Sequence, residues 1–206
     1  MRISQLHERF VAEITGLDTS VPPDPQTIDA FEAAMARYAV CVIRDASLTD
    51  ADHIRFSRAF GSLELPPPGG KRIAPEIYDV GNLMADGEIR PPSPAGPPPI
   101  DFERFHTDSP FNTLPTKWSF LLAYEVPPEG ANTEFIDTRA VYEDLPAEMK
   151  DRIAGLMAEH DMFLALQRKG TVFGDEQLRR SYPATAHAPV RESANGRKAL
   201  YLGWHA

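Results

Sequence analysis

Proline bars regular structure from the middle of this chain. The run RPPSPAGPPPIDF, from Arg90 to Phe102, lacks the backbone donors that a helix or a central strand requires, so it reads as a long loop, either a lid or a disordered excursion. Strand-forming patterns resume on both sides of it, which places the loop inside one domain and not between two. Shorter stops, LPPPGG before it and PPEGAN after it, cut the flanking sequence into pieces of strand length.

Helices must fit between these stops. PQTIDAFEAAMARYAV sets Ile28, Phe31, Met35 and Tyr38 at helical spacing after a proline suited to a first turn, and VCVIR follows as a buried strand. LTDADHIRFSRAFG offers Thr49 or Asp50 as an N-cap, Ile54, Ser57 and Phe60 along one face, and Gly61 as a stop. EIYDVGNL has a strand pattern before the loop. Beyond it KWSFLLAYEV reads as an apolar strand, and TEFIDT as an alternating one with Phe135 and Asp137 on one face and Glu134 and Ile136 on the other. LPAEMKDRIAGLMAEH returns to helical spacing through Met149, Ile153, Leu156 and Met157. Asn195-Gly196 stands between two strand-like runs as a hairpin signal. The order predicts a mainly β fold with flanking helices, packed outside an antiparallel sandwich or barrel, as a single domain over residues 1–206.

Composition removes several functions. A formal net charge of −9 without any Lys/Arg run argues against nucleic acid, whose affinity rests on clustered positive charge. Charged residues interrupt the first sixteen positions and no stretch is apolar enough to span a bilayer, which predicts a cytoplasmic protein with no membrane partner. The single cysteine, Cys41, sits within AVCVIR and reads as a small buried hydrophobe. Neither GxGxxG after a strand nor GxxxxGK[ST] occurs, so the usual nucleotide cradles have no support.

What carries chemistry is FHTDSPF. His106 and Asp108 stand two apart, so on an extended strand both side chains project to one face and can converge on one metal ion. Imidazole and carboxylate suit ferrous iron, although they also accept zinc or manganese. By itself the tripeptide is a weak signal, and a solvated surface pair is the simpler reading of it.

The ordered context is more specific. From FHTDSPFNTLPTKWSFLLAYEV through PPEGANTEFIDTRAVYEDLPAEMKDRIAGLMAEHDM, with ISQLHERFVAEITGLD, AVCVIRDASLTDADHIRFSRAFGSLE and APVRESANGRKALYLG around it, the chain resembles the taurine dioxygenase and 2,4-dichlorophenoxyacetate dioxygenase family. The resemblance covers nearly the whole sequence and implies iron(II)- and 2-oxoglutarate-dependent oxygenases on a double-stranded β-helix, or jelly roll. It makes His106 and Asp108 two iron ligands and gives Thr133, in GANTEF, a role in holding the 2-oxoglutarate carboxylate. Phe105 stands where many members have tryptophan, and Phe102 where some have an asparagine that contacts the cosubstrate. The implied partners are O2 and a small organic acid, aryloxyalkanoate-like or sulfonate-like. EIYDVGNLMADGEIRPP looks closer to the aryloxyacetate branch, with the proline loop bordering the pocket. A homo-oligomer is compatible with all of this.

In the family the distal histidine ligand and the arginine that pairs with 2-oxoglutarate follow a Trp-Asp-Asn-Arg-like segment. The sequence reaches LGWHA without one, so the resemblance predicts a jelly roll with its C-terminal strands missing and neither residue present. His160, His187 and His205 are read as structural or exposed, not as replacement ligands, and Arg197 as a hairpin residue. The alternative function is a non-catalytic jelly-roll remnant that binds a partner or small ligand, or that has no function.

Overall fold

A computed structural model describes residues 1–65, 72–81, 88–89, 105–130, 132–164, 176–193 and 195–203. The proline loop expected over 90–102, Phe102 and His205 lie outside the described residues. The chain divides into two compact units, Met1–Pro91 with Phe120–Pro128, and Pro92–Ser119 with Glu129–Ala206.

In the first unit, β1 (Arg2–Gln5) and β2 (Ala12–Thr15) form an antiparallel pair, and β3 (Cys41–Ile43) lies parallel to β2 on its other side. Ala12 and Ile14 of the middle strand, two apart and so on one face of the sheet, are completely buried. The crossover between β2 and β3 is α1 (Pro25–Tyr38), which starts where the sequence predicts: Asp24 accepts from Thr27 N at 2.7 Å and Pro25 needs no donor. The helix stops at Ala39, whose φ of 62° takes it out of the helical region before β3 begins. α2 (Asp50–Arg58) begins with a capping box, Thr49 Oγ1 accepting from Asp52 N and Asp52 Oδ2 accepting from Thr49 N. Phe31 of α1, Phe56 of α2, Phe60 and Phe120 pack as one aromatic cluster with centroid separations of 4.8–6.4 Å. A hairpin of β4 (Arg72–Ala74) and β5 (Ile77–Tyr78) completes the unit.

The second unit is built from hairpins and short helices. α3 (Thr138–Asp144) is capped by the buried Asp137, which also takes two hydrogen bonds from the Arg139 guanidinium at 2.8 and 3.0 Å. α4 (Ala147–Ile153) follows, then β6 (Ala158–His160), α5 (Glu176–Ser181) and β7 (Thr185–His187), the last pairing antiparallel with β6. β8 (Val190–Glu192) and β9 (Lys198–Leu200) close over Asn195-Gly196 as the sequence predicts, with Gly196 at φ 80°. Arg197 leaves that turn to form a two-pronged ion pair with Glu143 of α3, at 2.7 and 3.0 Å.

Three expectations change. The helix expected to run through Met157 ends at Ile153, because Gly155 adopts φ 77° and turns the chain into β6, and Leu156 and Met157 are left exposed. KWSFLLAYEV forms no strand among the described residues, and neither does TEFIDT before its last residue opens α3. A β-pattern specifies a pleated, half-buried ribbon; only a neighbour at ladder distance makes it a sheet. α3 itself was not anticipated. Among the described residues the result is nine short strands in four small sheets with five helices of six or more residues, and no helix long and apolar enough to cross a membrane.

Candidate metal centre

Residues 105–107 belong to no helix or strand and the backbone bends at Asp108, yet the two side chains of the motif come together. His106 Nε2 and Asp108 Oδ1 come to 3.2 Å, with side chains 40% and 51% exposed. Ser119 Oγ donates to the other carboxylate oxygen, Oδ2, which fixes the plane of the carboxylate and leaves Oδ1 facing the imidazole. Ser119 lies eleven residues on, in a segment whose sequence signals only a strand. Nothing local marks it.

Two further contacts hold this segment. After Asp108 the chain turns through Ser109, at φ 49°, and Asn112 N donates to Ser109 O at 3.1 Å. β7 clamps that turn: Thr185 Oγ1 donates to Phe111 O at 2.7 Å, and His187 Nε2 lies 2.9 Å from Asn112 O. A carbonyl only accepts, so the proton of neutral His187 is assigned to Nε2. On the other side the backbone passes close at Gly203, where a Cβ would stand 3.5 Å from Thr107 N and 3.9 Å from the His106 Cα.

The donor set fits a divalent cation. Two neighbouring ligands about 2.1 Å from one ion stand roughly 3 Å apart, and the imidazole nitrogen and carboxylate oxygen already do. Half-exposure leaves room for other groups on the open side. No group of three or more His, Cys, Asp or Glu residues converges among the described residues, so the pair stands as two ligands. Thr133 is exposed on the irregular segment before α3, and no described hydrogen bond joins it to His106 or Asp108. Phe105 is 52% exposed beside the pair. His160 and His187 meet each other and Tyr201 instead of the pair, and Arg197 is engaged with Glu143. Cys41, which the sequence reads as a small buried hydrophobe, is only half-buried, and that burial pushes its thiol up to about 11.

Comparison with known proteins gives the chain a lineage. The 2,4-dichlorophenoxyacetate dioxygenase of Burkholderia sp. strain RASC, described as alpha-ketoglutarate-dependent, is 32% identical over 210 residues, covering 98% of this chain and 70% of that protein. The (S)-phenoxypropionate/alpha-ketoglutarate-dioxygenase of Sphingobium herbicidovorans is 28% identical, covering 99% of this chain and 71% of its own length. The crystal structure of AAD-2 in complex with Mn(II) and N-oxalylglycine superposes with a TM-score of 0.82 at 32% identity, over 100% of this chain and 73% of that one. With a profile match across residues 2–206, the chain belongs to the taurine catabolism dioxygenase TauD, TfdA family.

Proposed function

We propose that the chain is an iron(II)- and 2-oxoglutarate-dependent dioxygenase domain of jelly-roll type, cytoplasmic, acting on a small organic acid of the aryloxyalkanoate kind. The observation that carries this reading is the His106–Asp108 pair at 3.2 Å, open to solvent, in a chain related to enzymes named for that cosubstrate. His106 Nε2 and Asp108 Oδ1 would hold the ion, and the Thr133 hydroxyl would meet a 2-oxoglutarate carboxylate. Iron loaded with 2-oxoglutarate supplies oxidative hydroxylation, in which O2 and substrate C–H become a hydroxylated product with succinate and CO2.

The chain's own residues prepare the ion's place. Neutral His106 presents a lone pair at Nε2 only when that nitrogen gives up its proton, so the affinity falls as the pH falls. Ser119 keeps the Asp108 carboxylate turned toward the imidazole, and β7 with the Gly203 backbone keeps the segment from drifting. The aryloxyalkanoate assignment rests on the two relatives named for such substrates.

Anaerobic titration with iron(II) and 2-oxoglutarate tests the reading through the weak visible charge-transfer absorption of the chelate. The band is expected in the wild type and lost in His106→Ala and Asp108→Ala, with affinity reduced about ten-fold or more in Ser119→Ala. A wild type that gives no band sinks the metal reading. A band without 2-oxoglutarate decarboxylation on any aryloxyalkanoate leaves a binding protein and removes the enzyme.

A further inference from the structure

Away from the metal pair, one side chain is placed at odds with its chemistry. His160 ends β6 completely buried, and neither Nδ1 nor Nε2 has a hydrogen-bond partner among the described residues. A buried polar group in that state has lost its water without gaining a partner, which is destabilising and draws attention to its surroundings. Register supplies the first part. His160 pairs with Thr185 and Ala158 with His187, so the two histidines are diagonal neighbours on one face of the β6–β7 ladder, with ring centroids 5.7 Å apart. Tyr201, just after β9, completes a triangle of rings at 5.6 Å from His160 and 5.5 Å from His187.

The charges around this triangle favour neutral histidine. From β7 comes His187 itself; from β8, Arg191 sits 4.6 Å over the Tyr201 ring; from the segment after β9 comes the Tyr201 phenol. Along the chain from His160, Glu159 is exposed on the opposite face, and the Asp161 carboxylate accepts from Phe163 N and Leu164 N at 2.8 and 2.9 Å. Among these neighbours no carboxylate compensates a proton on His160.

The same triangle is fastened to the candidate metal segment at two points. β7 carries His187 and also clamps Phe111 O and Asn112 O, and the backbone two residues past Tyr201, at Gly203, runs against His106 and Thr107. We propose that His160, His187 and Tyr201 form an acid-sensitive latch that positions the segment from His106 to Asn112. With His160 neutral, β6 and β7 stay zipped and the segment is held. Protonation of His160 parts the rings, loosens β7 and releases the turn after Asp108. The histidines are positioning residues, and the functional meaning of the latch rests on the metal reading given above.

The direction of the response follows from burial, which lowers the proton affinity of His160, with the nearby His187 adding to it. The unfolded imidazole takes its proton near 6.5 and the folded one only at lower pH. Latch stability is therefore fully present above that value and is lost as the pH falls below it toward the folded value.

Hydrogen exchange on the full, metal-free chain tests this at pH 7.5 and 5.5, with rates corrected for intrinsic chemistry. Peptides covering 105–113, 158–160 and 185–187 should exchange faster at the lower pH, by up to about ten-fold, the limit set by the one pH unit between 6.5 and 5.5, while β1 and β2 do not change. His160→Phe keeps an aromatic ring without a titrating site and should abolish the acid response in all three peptides. An undiminished response in that variant, or opening of 158–160 and 185–187 with 105–113 unaffected, overturns the latch. Should the variant fail to fold, the Hε1 resonance of His160 in the wild type decides: titration below 6.5 supports the proposal and titration at or above it refutes it. Because no metal is added, the latch and the iron reading can fail independently.

Discussion

In the first unit four phenylalanine rings meet between α1, α2 and Phe120, whereas the second unit packs a carboxylate, Asp137, and an imidazole, His160, among its most buried side chains. The contrast extends to the histidines. Burial lowers the proton affinity of His53 in the first unit too, but the Asp50 charge and a hydrogen bond with the Phe120 backbone act in the opposite direction. His160 has no such opposition and has His187 beside it. An apolar core makes stability insensitive to pH near neutrality; a polar one ties each packed element to a protonation state.

Substitutions can break that contrast, beginning with the largest effect. Phe31→Ala removes the ring at the centre of the aromatic cluster and should cost about 3–5 kcal/mol in urea unfolding, by the same amount at pH 7 and pH 5. Asp137→Ala strips both the cap of α3 and the partner of Arg139, an expected loss of about 3 kcal/mol at neutral pH. Burial alone would raise the Asp137 carboxyl, but hydrogen bonds from Arg139 and the charges of Arg139 and Arg197 outweigh it and hold it below the usual 3.8. Its stabilisation is thus present above that value and shrinks as the pH falls through the lower folded one, so the difference from wild type should narrow in acid. A difference that stays constant down to pH 2 would show that the carboxylate charge contributes nothing.

Smaller effects sharpen the comparison. Thr49→Ala dismantles the α2 capping box and should lower the thermal midpoint by the equivalent of about 1 kcal/mol, with no acid component above pH 5. Gly203→Ala places a methyl at ordinary contact distance from Thr107 and His106 and should change stability by less than about 0.5 kcal/mol. A loss well above that would mean the metal segment is braced more tightly than these distances indicate.

Sequence reading succeeded where structure is decided by neighbours in the chain. Pro25, the Thr49 cap and Asn195-Gly196 each fix a local backbone geometry, and α1, α2 and the β8–β9 hairpin follow from them, the Asp24 cap being added by the structure. The approach of His106 to Asp108 is local too, since it joins side chains only two residues apart. What escaped detection is relational. The hydrogen bond from Ser119, the clamp of β7 on Phe111 and Asn112, and the meeting of His160 with His187 and Tyr201 join residues whose separations no pattern marks. KWSFLLAYEV fails for the converse reason, since its pattern declares what the segment can do and pairing depends on another strand. Gly155 is instructive as well, because a helical stripe of apolar residues ran straight through a position the backbone uses as a stop.

The place of Phe120 in the aromatic cluster bears on the order in which the protein is made. Its three partners all precede Gly61, but Phe120 and the rest of Phe120–Pro128 emerge from the ribosome only after 92–119, which belong to the other unit. A nascent chain can therefore complete β1, β2, α1, β3 and α2 and still display an unfinished apolar surface for the time taken to translate the intervening segment. Stalled chains that end before Phe120 should be retained by chaperones, and those extended well beyond Pro128 should be released.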